Sequence, residues 1–207
     1  MSSVMRLLAT TLILAVAHLC CGQSYTFVFL HKKVQTDSTS KEALAKIMEG
    51  HMANIERLAK EKKLLAAGPF EGGGGLFILN TTSEKEAQEW LSTDPGIQAK
   101  RWVVEILPYT PIVGSVCPVS EPYEMVTYHF ARLSLKEKSK AKKHRNEYDV
   151  ALKSFFDGEE IVTHGTFGHH DQVIILKNHP GIKPINNARI KRDEKKLWIA
   201  KGSFCEK

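Results

Sequence analysis

The chain repeats itself, and that limits the architectures open to it. Gly165-Thr166-Phe167 stands in the second half where Gly68-Pro69-Phe70 stands in the first. The strand-like run Gln172–Lys177 (QVIILK) answers Gly75–Asn80 (GLFILN), and Lys196–Ile199 (KLWI) answers Arg101–Val104 (RWVV). An ordered series of this kind means one supersecondary unit used twice. The second copy has drifted. With the copies registered on the GxF motif, Tyr148 falls opposite His51 and no Asp-Pro step follows. Pro180, Gly181 and Pro184 interrupt the segment 179–188, so a helix there should be short or lost.

The first copy reads strand, helix, strand, strand, helix, strand. Tyr25–His31 is rich in aromatic and β-branched residues and opens the unit as a strand. Thr39 with Glu42 forms a capping-box pattern for a long helix that carries Leu44, Ile47, Met48, His51, Ile55 and Leu58 on one face. Gly50 within it either costs about 1 kcal/mol relative to alanine or marks a close approach. Leu64–Ala67 and Leu76–Leu79 are short strands joined by the turn Gly72–Gly75, and Ser83 with Glu86 starts a second helix through Trp90 and Leu91. Asp94-Pro95-Gly96 breaks that helix, because a residue before proline is pushed out of helical geometry. Trp102–Leu107 closes the unit. Thr110–Pro122 then holds Pro111, Gly114, Pro118 and Pro122, a linker composition.

At the N-terminus, Arg6 precedes the apolar run LLATTLILAVAHLC, which is too short to span a bilayer and has the length of a signal-peptide core. Cys20 and Gly22 are the small residues expected before cleavage at Gln23. The organisation is therefore a signal peptide over 1–22, a first repeat over 23–110, a linker over 111–123 and a degenerate second repeat over 124–207. The mature protein is expected to be secreted and extracellular, with no membrane association after cleavage. Asn80-Thr81-Thr82 is a glycosylation acceptor on a surface turn, consistent with that route. Cys117 and Cys205 remain after cleavage, an even number in an oxidising compartment.

The series His51-x6-Leu58, LLAAGP at 64–69, the glycine-rich turn, FILN at 77–80, EAQEWL at 86–91, Asp94-Pro95 and VVEILPY at 103–109 resembles the YCII-related family of the dimeric α+β barrel superfamily. The resemblance covers 25–109 well and reaches 124–204 through the repeat. It implies an α+β fold: a ferredoxin-like βαββαβ unit repeated twice, with the sheets packed as an intrachain pseudo-dimeric barrel. It also implies a His51/Asp94 dyad, present in the first copy alone, and chemistry like that of relatives that are dehydrochlorinases or related to muconolactone isomerases. In such a sheet the first and last strands are antiparallel neighbours, so Cys117, before the second copy's first strand, and Cys205, after its last, are expected to form a disulfide.

A histidine whose second ring nitrogen is held by a carboxylate suits proton abstraction beside a carbonyl, on a small acidic or cyclic ligand. The plainer reading is a structural hydrogen bond pinning a helix to a loop. His164, His169, His170 and Asp171 cluster in sequence but fit no closed zinc pattern. Gly72–Gly75 joins two strands and precedes no GK[ST], so it is a turn and not a phosphate loop. No cofactor is implied. Residues 23–110 carry 11 basic and 11 acidic side chains and residues 111–207 carry 17 and 12. The excess gathers in Lys136, Lys138, Lys140, Lys142, Lys143 and Arg145, either a solvated helix face or a contact for an extracellular polyanion or matrix component, not for nucleic acid. The sequence thus leads first to a noncatalytic extracellular or matrix-associated protein on a barrel scaffold. The alternative is a lyase- or isomerase-type enzyme, or a binder, using His51 and Asp94.

Overall fold

The computed structural model describes residues 24–33, 39–136, 161–168, 171–177 and 190–205. Its first strand, β1 (Tyr25–Lys32), is buried on both faces from Tyr25 to Leu30. Tyr25, Phe27 and Phe29 enter one core cluster, while Val28 and Leu30 enter another. Neighbouring side chains on a strand point to opposite faces, so β1 must be covered twice. One cover is helical. α1 (Lys41–Lys60) supplies Leu58, and α2 (Glu84–Leu91) supplies Ala87 and Leu91, to the cluster around Val28 and Leu30. The other cover comes from the second half, whose Phe130, Val173, Ile175, Leu197 and Ile199 join Phe27 and Phe29.

The strands that carry these residues form one antiparallel sheet of eight. In chain order they are β1, β2 (Leu64–Pro69), β3 (Gly75–Leu79), β4 (Trp102–Val113), β6 (Met125–Leu135), β7 (Ile161–Phe167), β8 (Asp171–Leu176) and β9 (Ile190–Ala200). A separate ribbon pairs β5 (Ser115–Val116) with β10 (Phe204–Cys205). Across the sheet the order is β2-β3-β1-β4-β7-β8-β6-β9. The first four strands and the last four therefore follow the same internal order. The segments where helices of the second half would fall, 137–160 and 178–189, lie outside the described residues, as does Tyr148.

The ends of the sheet meet. Phe70 bridges Leu197, and the Glu71 N–H donates to the Lys196 carbonyl at 2.9 Å. Both GxF motifs lie where strands from different halves abut, and this gives the repeat a physical reason. A Cβ on Gly68 would lie 2.4 Å from the Trp198 carbonyl oxygen of β9. One on Gly165 would lie 2.4 Å from the Tyr109 ring and 2.6 Å from the Thr110 carbonyl oxygen of β4. Real Cβ atoms do not approach so closely, so glycine sets the strand spacing at both seams. Phe70 and Phe167, the last residues of the two motifs, both turn into the shared interior.

Several local expectations shift. The cap of α1 is Ser40, whose side chain accepts from the Ala43 N–H, and not Thr39. Either residue suits a cap, and the sequence alone does not choose between adjacent candidates. β4 runs on to Val113, three residues into the segment read as linker, because its continuation pairs with β7 across Thr110 and Pro111. Cys117 and Cys205 are joined with their Cα atoms 5.5 Å apart, closing a separation of 88 residues beside the β5–β10 ribbon. Among the described residues no helix is long and apolar enough to cross a membrane.

Candidate functional site

Gly50 lets α1 approach a second element closely. A Cβ there would lie 2.9 Å from Pro95 Cγ, so alanine would force α1 away from the short helix α3 (Pro95–Gln98). The Asp-Pro step does more than end α2. Asp94 is the N-cap of α3, and its Oδ1 accepts from the Gly96 N–H at 2.8 Å and the Ile97 N–H at 3.1 Å. Its Oδ2 accepts from His51 Nδ1 at 2.8 Å and from Asn54 Nδ2 at 3.2 Å. Asp94 is fully buried. Four donors on two oxygens supply the pairing that a buried carboxylate requires.

Asn54 is the partner that sequence reasoning missed. Its Oδ1 accepts from Arg57 Nη2 at 2.8 Å and Thr93 Oγ1 at 2.9 Å, which turns its amide nitrogen toward Asp94. Arg57 is held in turn by Glu61 at 2.7 Å. His51, Asn54 and Arg57 recur every third residue along α1, and that spacing was the available signal. The imidazole is also flanked by aromatic rings, with Trp102 centred 4.8 Å away and Phe77 stacked at 5.8 Å. Because Nδ1 donates to Asp94, the neutral ring carries its lone pair on Nε2. Among the described residues no group hydrogen-bonds to Nε2.

His51 lines a cavity of about 380 Å³, whereas Asp94 stands behind it, away from the cavity wall. The cavity is lined by both β2 and β9. Leu65, Ala67 and Pro69 of β2 form one side and Trp198 and Ala200 of β9 another, with Met48 and Ile55 of α1 beside the histidine. A β-bulge between Leu64 and Ala66 bends β2 at this place. The arrangement is a buried carboxylate, an oriented imidazole and an enclosed space before the free ring nitrogen. Those are the parts of a general base.

The other sequence-selected residues do not join this site. Asn80 is exposed in the turn between β3 and α2, its amide donating to the Lys62 carbonyl at 3.2 Å. His164 Nε2 pairs with Gln172 Oε1 at 2.6 Å, and burial pushes the His164 ring below the usual histidine range. Asp171 is bonded by Arg132 at 2.6 Å, while His169 and His170 lie outside the described residues. Lys136 is exposed at the end of β6, and Lys138, Lys140, Lys142, Lys143 and Arg145 lie outside the described residues. A second unforeseen cluster occupies one end of the interior. Arg132 of β6 makes two bonds to Glu105 of β4, at 2.8 and 3.0 Å, and Glu105 also meets His31 at 2.8 Å. The Arg132 bonds, working against partial burial, pull the Glu105 carboxyl down to about 2.

Residues 26–112 match the family model of the YCII-related domain. No curated protein matches the chain. Among solved structures it is similar to a candidate monooxygenase from Lactobacillus acidophilus NCFM, at 10% identity over 85% of this chain and 93% of that one, with a TM-score of 0.43. A candidate monooxygenase from Fusobacterium nucleatum subsp. nucleatum ATCC 25586 gives 10% identity, 89% and 97% coverage and a TM-score of 0.44. An anthrone oxidase-like protein gives 4%, 86%, 91% and 0.49.

Proposed function

We propose that the YCII-related half of this chain is a small-molecule site in which His51 transfers protons and Asp94 positions it. The carrying observation is that His51 commits Nδ1 to a buried carboxylate while lining a cavity of about 380 Å³. A noncatalytic scaffold needs no open space before an oriented imidazole, so the cavity favours the chemical reading over the matrix one. In the proposed step Nε2 takes a proton from a carbon next to a carbonyl, and the C–H electron pair moves into an enolate. The proton then returns at another carbon, or a β-leaving group departs. The imidazolium formed in between is balanced by Asp94.

The proposal extends to the whole chain as a tandem of two βαββαβ units packed as an intrachain barrel. The strand order common to the two halves supports it. It also extends to secretion with removal of 1–22, and the Cys117–Cys205 disulfide supports an oxidising compartment. The functional test is solvent deuterium incorporation, followed by NMR, into a panel of cyclic ketones and unsaturated ketones. Exchange into at least one member, reduced about 100-fold or more in His51→Gln, is expected. Equal exchange by the wild type and His51→Gln on a compound that the wild type turns over would sink the reading.

A further inference from the structure

The walls of the cavity say more about its ligand than the histidine does. Among the described lining residues none is aspartate, glutamate, lysine or arginine. An ionised ligand would leave its hydration without gaining a counter-charge, which is costly in an enclosed apolar space. Against that background His51 stands out as the lining side chain with an unpaired acceptor. Ser203 also forms part of the wall, but its Oγ is covered and offers a ligand no polar contact.

The rim is apolar as well. Met52, Tyr123 and Trp198 are each about half exposed, and they are three of the five large apolar side chains that stand exposed among the described residues. All three line this cavity. Exposed apolar groups scattered singly need no account, but a group gathered at one opening does. Trp198 and Ser203 belong to the second half, and Tyr123 is the last residue of the linker before it; the second half therefore builds a wall of the site although its own copy lacks the histidine. The volume lies within the range of small-molecule pockets.

We infer that this cavity binds a neutral, largely apolar small molecule, with His51 as its principal polar contact. The inference rests on the proposed site at His51 and replaces the acidic ligand that the sequence suggests with an uncharged one. It is tested by titrating the full chain with the neutral fluorophore N-phenyl-1-naphthylamine and with its anionic relative 8-anilinonaphthalene-1-sulfonate. One saturable site is expected for the neutral probe, with the anion at least about tenfold weaker. Ala67→Trp, which fills the cavity from β2, should weaken the neutral probe about tenfold or more. Trp198→Ala, at an exposed position that leaves the core intact, should weaken it severalfold. Val103→Ala, at an exposed position of β4 that does not line the cavity, should leave probe binding within about twofold. No saturable binding of the neutral probe, equal or tighter binding of the anion, or indifference to Trp198→Ala would each overturn the inference. Retained probe binding with no His51-dependent deuterium exchange would overturn only the proton-transfer reading.

Discussion

The two seams between the halves of the sheet have equivalent places in the strand order and different fates. At β4/β7 the pairing runs from Tyr109↔Phe167 to Val113↔His164, and Tyr109 Oη and Thr163 Oγ1 add a buried bond at 3.1 Å. At β2/β9 a single isolated bridge, Phe70↔Leu197, stands beside the close contact at Gly68. The first seam is sealed by backbone, and the second encloses a cavity with His51 on its wall. Two halves with a common strand order can thus treat their seams separately: one holds the halves together and the other is free to become a site. An open seam leaves strand groups unpaired, so its cost must be met by packing around it. Here α1 and α3, tied through Asp94, provide the support.

That dependence gives the largest expected effect. Asp94→Ala removes the cap of α3 and the acceptor of both His51 and Asn54, and should cost about 3–5 kcal/mol in chemical denaturation. Asp94→Asn keeps an acceptor for part of this network and should cost visibly less. It also offers a donor where two backbone N–H groups already point, so it should not restore wild-type stability. Equal stability of Asp94→Ala and the wild type would mean that the open seam does not rely on this network.

The seams can also be compared directly. Gly165→Ala would drive a Cβ into the Tyr109 ring and the Thr110 carbonyl within a fully paired ladder, and should cost roughly 3 kcal/mol. Gly68→Ala meets the Trp198 carbonyl at the same 2.4 Å, but there a single isolated bridge and not a ladder joins the strands, so roughly 1 kcal/mol is expected. Paired thermal melts of the two variants read the difference. If Gly68→Ala proved the more damaging, the β2/β9 contact would be the rigid one and the contrast drawn above would be reversed.

Much of this was legible because it is local. The aromatic and β-branched run Tyr25–His31, the GxF motifs and Ser83 as a helix cap are statements about neighbours in sequence, and the structure keeps them in β1, at the two seams and at α2. Gly50 was readable as a close approach, though not as an approach to Pro95. Asn54 and Thr93 escaped because polar residues on an amphipathic helix and its loop read as solvent-facing until the partner is known. The walls from Tyr123 and Trp198 escaped for a different reason. They reach His51 only when β9 comes round to β2, and that closure depends on the whole order of eight strands. The Arg132–Glu105 pair was hidden in the same way, since alternation puts both side chains inside but says nothing of which strands face each other.

That pair supplies the smallest effect and a check on whether the seams alone hold the halves together. Glu105 belongs to the first half, and Arg132 and Asp171 to the second; His31 is the other group facing Glu105. With its carboxyl held at about 2 against an ordinary 4.5, Glu105 contributes stability that is complete above pH 4.5 and is lost as pH falls toward 2. The side chain is about one-third exposed, so solvent screening reduces the contribution to about 1 kcal/mol. Glu105→Gln should therefore lower stability slightly at neutral pH and flatten the stability loss between pH 4.5 and 2. Denaturation midpoints measured across that window would decide it. Parallel acid limbs for the two proteins would show that the interior pair adds nothing to the joint between halves, leaving the sealed β4/β7 seam as its main support.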